Sequence, residues 1–303
     1  MWPAAGFNCF RWTPSATGKR STCSTATRRC SPADGRPAAA SGAVPFPQLR
    51  IRDGQFEWAG TRYQHRPTTR PARTPSTASP AADRGVLDQG ASDAGAHVTG
   101  VFRCSVDDPA SVGLWPADHE IRLTVRLGRG TLRLEAEVFN PDEVPLPFGL
   151  GYHPYFRLPF NPSVHVSGCT VEVPAARVWE LRDNLPTGPH QPVDARRDLN
   201  RPRPFTELQV DDVLTDLPSR AARADGLIER ATIKGSAGRP VRLFCDPAFR
   251  EMVVFTPPHR QAFCAEPYTC VTDAINLHPA GLDTGWQELA PGETWTATIE
   301  LWV

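Results

Sequence analysis

From Val86 to its C-terminus this chain reads as short strands punctuated by Gly and Pro, a pattern that leaves few architectures open. Ile121, Leu123, Val125 and Leu127 alternate with polar residues, Gly128-Arg129-Gly130 turns the chain, and Leu132, Leu134, Ala136 and Val138 alternate back. Because successive strand side chains point to opposite faces, this text predicts an antiparallel hairpin with one buried face. Val166–Val173, Val241–Cys245, Met252–Phe255 and Trp295–Leu301 read as further strands, and Arg50–Tyr63 as a hairpin-like unit turning at Asp53-Gly54. Helical periodicity is scarce. Many short strands between turn residues predict an all-β sandwich or barrel.

A length of 303 residues suits one large all-β domain or two smaller ones, and a single domain over 1–303 is the expectation. With 33 basic residues against 33 acidic, the charge balance favours neither nucleic acid nor an anionic membrane as a partner. No apolar run is long enough to cross a bilayer, and the first residues lack a charged segment followed by a secretory apolar core. A cytoplasmic location is therefore expected. The eight cysteines contain no C-x-x-C pair, and Cys245, Cys264 and Cys270 lie in strand text. They read as reduced, small hydrophobes, with neither a disulfide frame nor a zinc site indicated.

Two stretches carry the candidate chemistry. In F-N-P-D-E-V-P-L-P-F-G-L-G-Y-H-P-Y-F-R-L-P-F, residues 139–160, Pro147, Pro154 and Pro159 fix backbone angles while Gly149 and Gly151 permit close approaches. Pro154 restricts His153 to extended geometry, with Tyr152, Tyr155 and Phe156 as a plausible aromatic wall. The alternative is a structural histidine satisfied by backbone groups. In A-F-C-A-E-P-Y-T-C-V-T-D-A-I-N-L, Glu266 follows an apolar run and precedes Pro267, which predicts a carboxylate at a strand end, facing a cleft or simply solvated.

G-Y-H-P-Y-F at 151–156, E-P-Y-T-C-V-T-D-A-I-N at 266–276 and R-I-R-D-G-Q-F-E-W at 50–58 resemble the signature segments of the aldose 1-epimerase (galactose mutarotase) family. The likeness runs from about Val86 to the C-terminus and also covers Gly6–Trp12 and Arg50–Tyr63. It implies a large antiparallel β-sandwich of the galactose mutarotase type, no cofactor, a small sugar as partner, and a monomer or homodimer. Anomer interconversion opens and recloses a hemiacetal, with a base taking the O1 proton while an acid protonates O5. The resemblance implies Glu266 as base and His153 as acid, on opposite sides of a sugar-sized cavity, each keeping the other charged. It implies Arg50 as a sugar-binding arginine, although Leu49 stands where the family has asparagine. Asp211 is the implied substrate-binding aspartate, with Asp212 as the fallback; adjacent strand residues face opposite ways, so only one meets the sugar. Asp273 and Asn276 read as braces of the Glu266 loop. His97, His119, His165, His190, His259 and His278 read as surface residues, and Trp286, Trp295 and Trp302 as core packing.

Residues 14–43 and 65–85 follow no strand or helix period and read as irregular or disordered. The second occupies the place of a family segment, N-A-I-H-G-F, that supplies another active-site histidine. Arg73–Ser79 written CGA ACG CCA TCC ACG GCT TCG yields Asn-Ala-Ile-His-Gly-Phe from the third base. Arg20–Ala26 written CGG TCG ACG TGC TCT ACG GCG yields Val-Asp-Val-Leu-Tyr-Gly at the same offset. Both stretches therefore look out of frame. Sequencing the gene tests this: the expected codons at Ser76 and Thr77 are TCC and ACG, and others abolish the hidden histidine.

Overall fold

The computed structural model describes the backbone of residues 9–11, 24–26 and 41–44, and then 50–64 and 86–303 apart from 162, 219–221 and 237. Side chains are described within 50–64 and from 88 onward with the same exceptions. The remainder of 14–43 and all of 65–85, the stretches read as irregular and out of frame, lie outside the described residues.

Two nine-stranded sheets dominate the described residues, and every strand pair in them is antiparallel. The expected hairpin is present as Glu120–Leu127 paired with Thr131–Phe139, with Val125 opposite Leu134 and Ile121 opposite Val138. Its buried face meets the other sheet. A single core cluster joins Val125, Leu134, Ala136, Leu243 and Ile299 of one sheet to Tyr152, Leu214, Met252, Val254 and Phe263 of the other. Full burial of a side chain such as Phe263, 0% exposed, contributes about 1.5–3 kcal/mol.

The sheet that matters for function contains, as neighbours, Asp211–Thr215, Glu251–Phe255, Ala262–Tyr268 and Gly151–Arg157. Alternation divides each of them. Phe263 and Ala265 enter the inter-sheet core with Tyr152, Phe156, Leu214, Met252 and Val254. Cys264, Glu266 and Tyr268 therefore share the other face with His153, Tyr155, Glu251 and Asp211. The same rule corrects the expected aromatic wall: only Tyr155 accompanies His153, because Tyr152 and Phe156 point into the core.

A second cluster builds around Phe56, Trp115, Leu146, Phe148 and Ile275. Gln55–Trp58 pairs with Thr61–Gln64, and this hairpin turns at Ala59-Gly60, both with positive φ, instead of at Asp53-Gly54. Asp53 and Gly54 lie in a short 3-10 turn before it. Phe56 stacks on Tyr63 and packs against Trp115, whose indole donates to the Pro147 carbonyl at 2.9 Å. Arg50 thus precedes a well-anchored unit.

Other expectations need correction. Val166–Val173 is divided into a 3-10 turn, Val166–Gly168, and a strand, Thr170–Glu172. The strand Ala262–Tyr268 does not stop at Glu266 but runs through Pro267, which lies opposite Met252; a proline is tolerated where its missing N–H is not owed to the ladder. His119 is buried, against Phe102, and desolvation lowers its pKa. Trp302 is 38% exposed on an outer face with Arg223 over its ring, while Trp286 and Trp295 do pack on the core clusters.

Glu251 gives a stability prediction. Its carboxyl is fully buried, accepts hydrogen bonds from Trp179 Nε1 at 3.0 Å and Thr215 Oγ1 at 3.1 Å, and is pushed up to about 8 by burial. A raised acid stabilises the fold below its ordinary pKa, and that contribution is lost as pH climbs through the folded value. The melting temperature is expected to fall between about pH 4.5 and about pH 8, and Glu251→Gln is expected to flatten that fall in thermal melts.

Candidate active site

The strand carrying His153 lies between Ala262–Tyr268 and Ser41–Val44, with His153 directly opposite Gly42. Gly151 pairs with Tyr268 and Tyr155 with Cys264, so the continued register sets His153 opposite Glu266. Pro154 and Pro267 flank this point and contribute no N–H to the ladder. The result is a contact at 3.1 Å between His153 Nδ1 and Glu266 Oε1, with the two side chains 16% and 2% exposed.

This geometry corrects two expectations. The imidazole and the carboxylate touch instead of standing on opposite sides of a cavity. Nor does each keep the other charged: burial pulls His153 down to about 4 and pushes Glu266 well above the usual carboxylate range. In so dry a setting, loss of hydration outweighs the attraction of the partner charge. Burial thus favours the neutral forms, an imidazole beside a carboxylic acid, with the ion pair as the alternative tautomer.

Tyr268 completes the Glu266 side. Its hydroxyl donates to Oε2 at 3.1 Å, opposing part of the burial effect, while Oε1 faces the histidine. The Tyr268 ring lies over Gly151, where an added Cβ would fall 2.6 Å from a ring carbon. Glycine is therefore required for close approach at this position. Tyr155 stacks on His153 with ring centres 4.7 Å apart and planes 6° from parallel, which fixes the imidazole's tilt.

Arg50 and Asp211 join the same region. Burial lowers the Arg50 pKa, and the charges that oppose the change are Asp211 and Tyr268. Asp211 stands exposed at its strand start, its pKa raised by desolvation and then by Asp212, with Arg50 pulling it down. Asp212 is buried and engaged by Arg196 at 2.9 Å and Arg197 at 3.1 Å, so the aspartate available to a ligand is Asp211.

Asp273 and Asn276 brace more than their own loop. The Asp273 amide donates to the Arg50 carbonyl at 2.8 Å, and its carboxylate accepts from the Arg52 amide at 2.9 Å and from Asn276 Nδ2 at 2.7 Å. Asn276 Nδ2 also donates to the Gln55 carbonyl at 2.9 Å. This clip ties the segment bearing Arg50 to the loop that follows Glu266. Arg52 belongs to it through a 3.3 Å ion pair with Asp273. Sequence reasoning passed over Tyr268 as well; its signal was the spacing in E-P-Y, which sets Glu266 and Tyr268 on one strand face.

Gly151→Ala is expected to destabilise the protein by about 1–3 kcal/mol, read from urea denaturation, because the new methyl must displace the Tyr268 ring. An unchanged midpoint contradicts the packing described here.

A family model described as Aldose 1-epimerase matches residues 29–302. Among solved structures, a galactose mutarotase-like protein from Clostridium acetobutylicum aligns over 87% of this chain and 78% of its own, at 19% identity and a TM-score of 0.67. A galactose mutarotase-like protein from Lactobacillus casei aligns over 87% and 84% at 15% identity, with a TM-score of 0.59. A galactose 1-epimerase from Lactobacillus acidophilus aligns over 86% and 78% at 13% identity, also with a TM-score of 0.59. The structural matches establish the shared fold, the family match covers most of the sequence, and the chain belongs to the aldose 1-epimerase family.

Proposed function

We propose that this protein interconverts the α and β anomers of a free hexose, with Glu266 as general base, His153 as general acid, and Arg50 and Asp211 holding the sugar hydroxyls. The observation that carries the reading is the 3.1 Å contact between His153 and Glu266 on the face of the sheet turned away from the inter-sheet core. O1 and O5 of a pyranose are bonded to the same carbon. An acid and a base in contact with each other can therefore address both oxygens from one side, and a cavity spanning the whole ring is unnecessary.

In this mechanism the pair enters as its ion-pair tautomer. Glu266 takes the O1 proton while the imidazole delivers one to O5, C1 becomes a carbonyl, and the C1–O5 bond opens. Rotation about the C1–C2 bond presents the other carbonyl face, and the reverse transfers reclose the ring. Tyr268 stabilises the carboxylate form through its hydroxyl, and Tyr155 holds the imidazole plane while the proton moves. Arg50 and Asp211 differ in sign, which suits hydroxyl groups that both donate and accept. The reading takes 1–303 as one domain, supported by the core shared between the two large sheets.

A phosphorylated hexose is a second reading. It is favoured by Arg157, which lies on the same strand face as His153, two alternate positions away, and whose guanidinium suits a phosphate. Polarimetry on freshly dissolved α-D-glucose and on glucose 6-phosphate separates the two, and the free sugar is expected to be the faster. Sugar binding without acceleration above buffer would instead support a carbohydrate-binding protein.

Glu266→Gln is expected to lower kcat roughly a hundredfold or more with the fold retained by circular dichroism, and unchanged turnover would reject its role. The pH profile follows from the single titrating proton that the neutral pair holds. kcat/KM is expected to be flat while the pair holds one proton, to fall as pH drops through about 4, where His153 takes a second, and to fall again when Glu266 loses the last. A limb near the ordinary histidine value would contradict this.

A further inference from the structure

Three metal-ligating side chains meet on one face of two neighbouring strands. His153, Cys264 and Glu266 each offer one donor atom, and these atoms all lie within 4.8 Å of one another. Cys264 pairs with Tyr155 in the ladder, so its thiol lies diagonal to His153 while Glu266 lies opposite it. A tetrahedral zinc-class ion, with bonds of about 2.0–2.3 Å, keeps its donors about 3.3–3.8 Å apart. Closing from that limit to the coordinated spacing takes shifts of at most about 1.5 Å. Thiolate with imidazole selects a borderline-soft transition ion over magnesium or calcium.

We propose that His153, Cys264 and Glu266 form a three-ligand site for a zinc-class divalent ion, and that an ion held there withdraws the imidazole and carboxylate from proton transfer. Charge balance favours the exchange. The histidine–glutamate pair holds one proton and the thiol another; both leave to solvent as the ion enters, and a 2+ ion with one carboxylate and one thiolate restores neutrality. A buried site accepts such an exchange far more readily than a bare charge. Cys264 is 0% exposed and burial pushes its thiol strongly up, so it is inert alone, yet a bound ion deprotonates a coordinating thiol outright. Partial exposure of the His153 side chain supplies the entry side. Cys104, Asp118 and His119 form a second group of similar spacing, but Asp118 Oδ1 already accepts the Ser105 and His119 amide hydrogens. That group serves as an internal comparison.

Titration of the full chain with Co²⁺, followed by the sulfur-to-cobalt charge-transfer absorption in the near ultraviolet, tests the site. The expected result is a band that saturates at one ion per chain, is lost in both Cys264→Ser and Cys264→Ala with affinity at least about tenfold weaker, and persists in Cys104→Ser. Absence of the band, or a band that survives in the Cys264 variants, overturns the proposal. The spectrum needs no turnover, so it succeeds or fails independently of the acid–base reading, whose residues it shares. Zn²⁺ is further expected to slow wild-type mutarotation and to leave the zinc-free rate of Cys264→Ser unaltered; equal slowing of both overturns the withdrawal of the pair.

Discussion

In the sheet that carries the candidate site, each strand must satisfy two environments at once, and the alternation of side chains is the constraint from which the rest follows. Phe263 and Ala265 seal the core between the sheets, so Cys264, Glu266 and Tyr268 have no choice of face. The same division sends Tyr152 and Phe156 inward and leaves His153 and Tyr155 with the carboxylate. Once the hydrophobic side of these strands is committed, a slip of one residue would exchange core and site completely. The packing that stabilises the sandwich is therefore also what holds His153, Glu266 and Tyr268 in register.

A second consequence is the dryness of that register. Glu266 is nearly inaccessible and His153 only slightly less so, and at this depth the hydration lost by each group exceeds what the other returns. Both groups are then favoured in their neutral forms, 3.1 Å apart. In the proposed reaction, whose two oxygens hang from one carbon, donor and acceptor would exchange roles across this contact without net charge entering or leaving the site. Tyr268 sets the balance by favouring the ionised carboxylate, and its own placement depends on the missing side chain of Gly151.

Much of this was legible in the residues. The alternation from Ile121 to Val138 announced a hairpin that the structure reproduces in register, and the three motif segments named the family that the comparisons bear out. Other details were not legible. Pro267 suggested a strand end, but whether a proline breaks a ladder depends on which side its nitrogen faces, and that is a property of the neighbouring strands. His119 looked exposed in its polar text and is buried, because the segments that cover it come from elsewhere in the chain. The Asp53-Gly54 turn yielded to Ala59-Gly60 once Phe56 had to reach Trp115.

The amino-acid sequence by itself determined the fold class, the family, and the identity of the histidine, glutamate, arginine and aspartate that merit attention, because strand period and short motifs are local properties. Only the tertiary structure decided that the histidine and glutamate touch, that burial favours their neutral forms, that Asp273 clips the arginine segment to the glutamate loop, and that the Cys264 thiol lies within 4.8 Å of both. Each of these joins residues far apart in the chain or turns on burial, and neither distance nor dielectric is written in any single stretch of sequence.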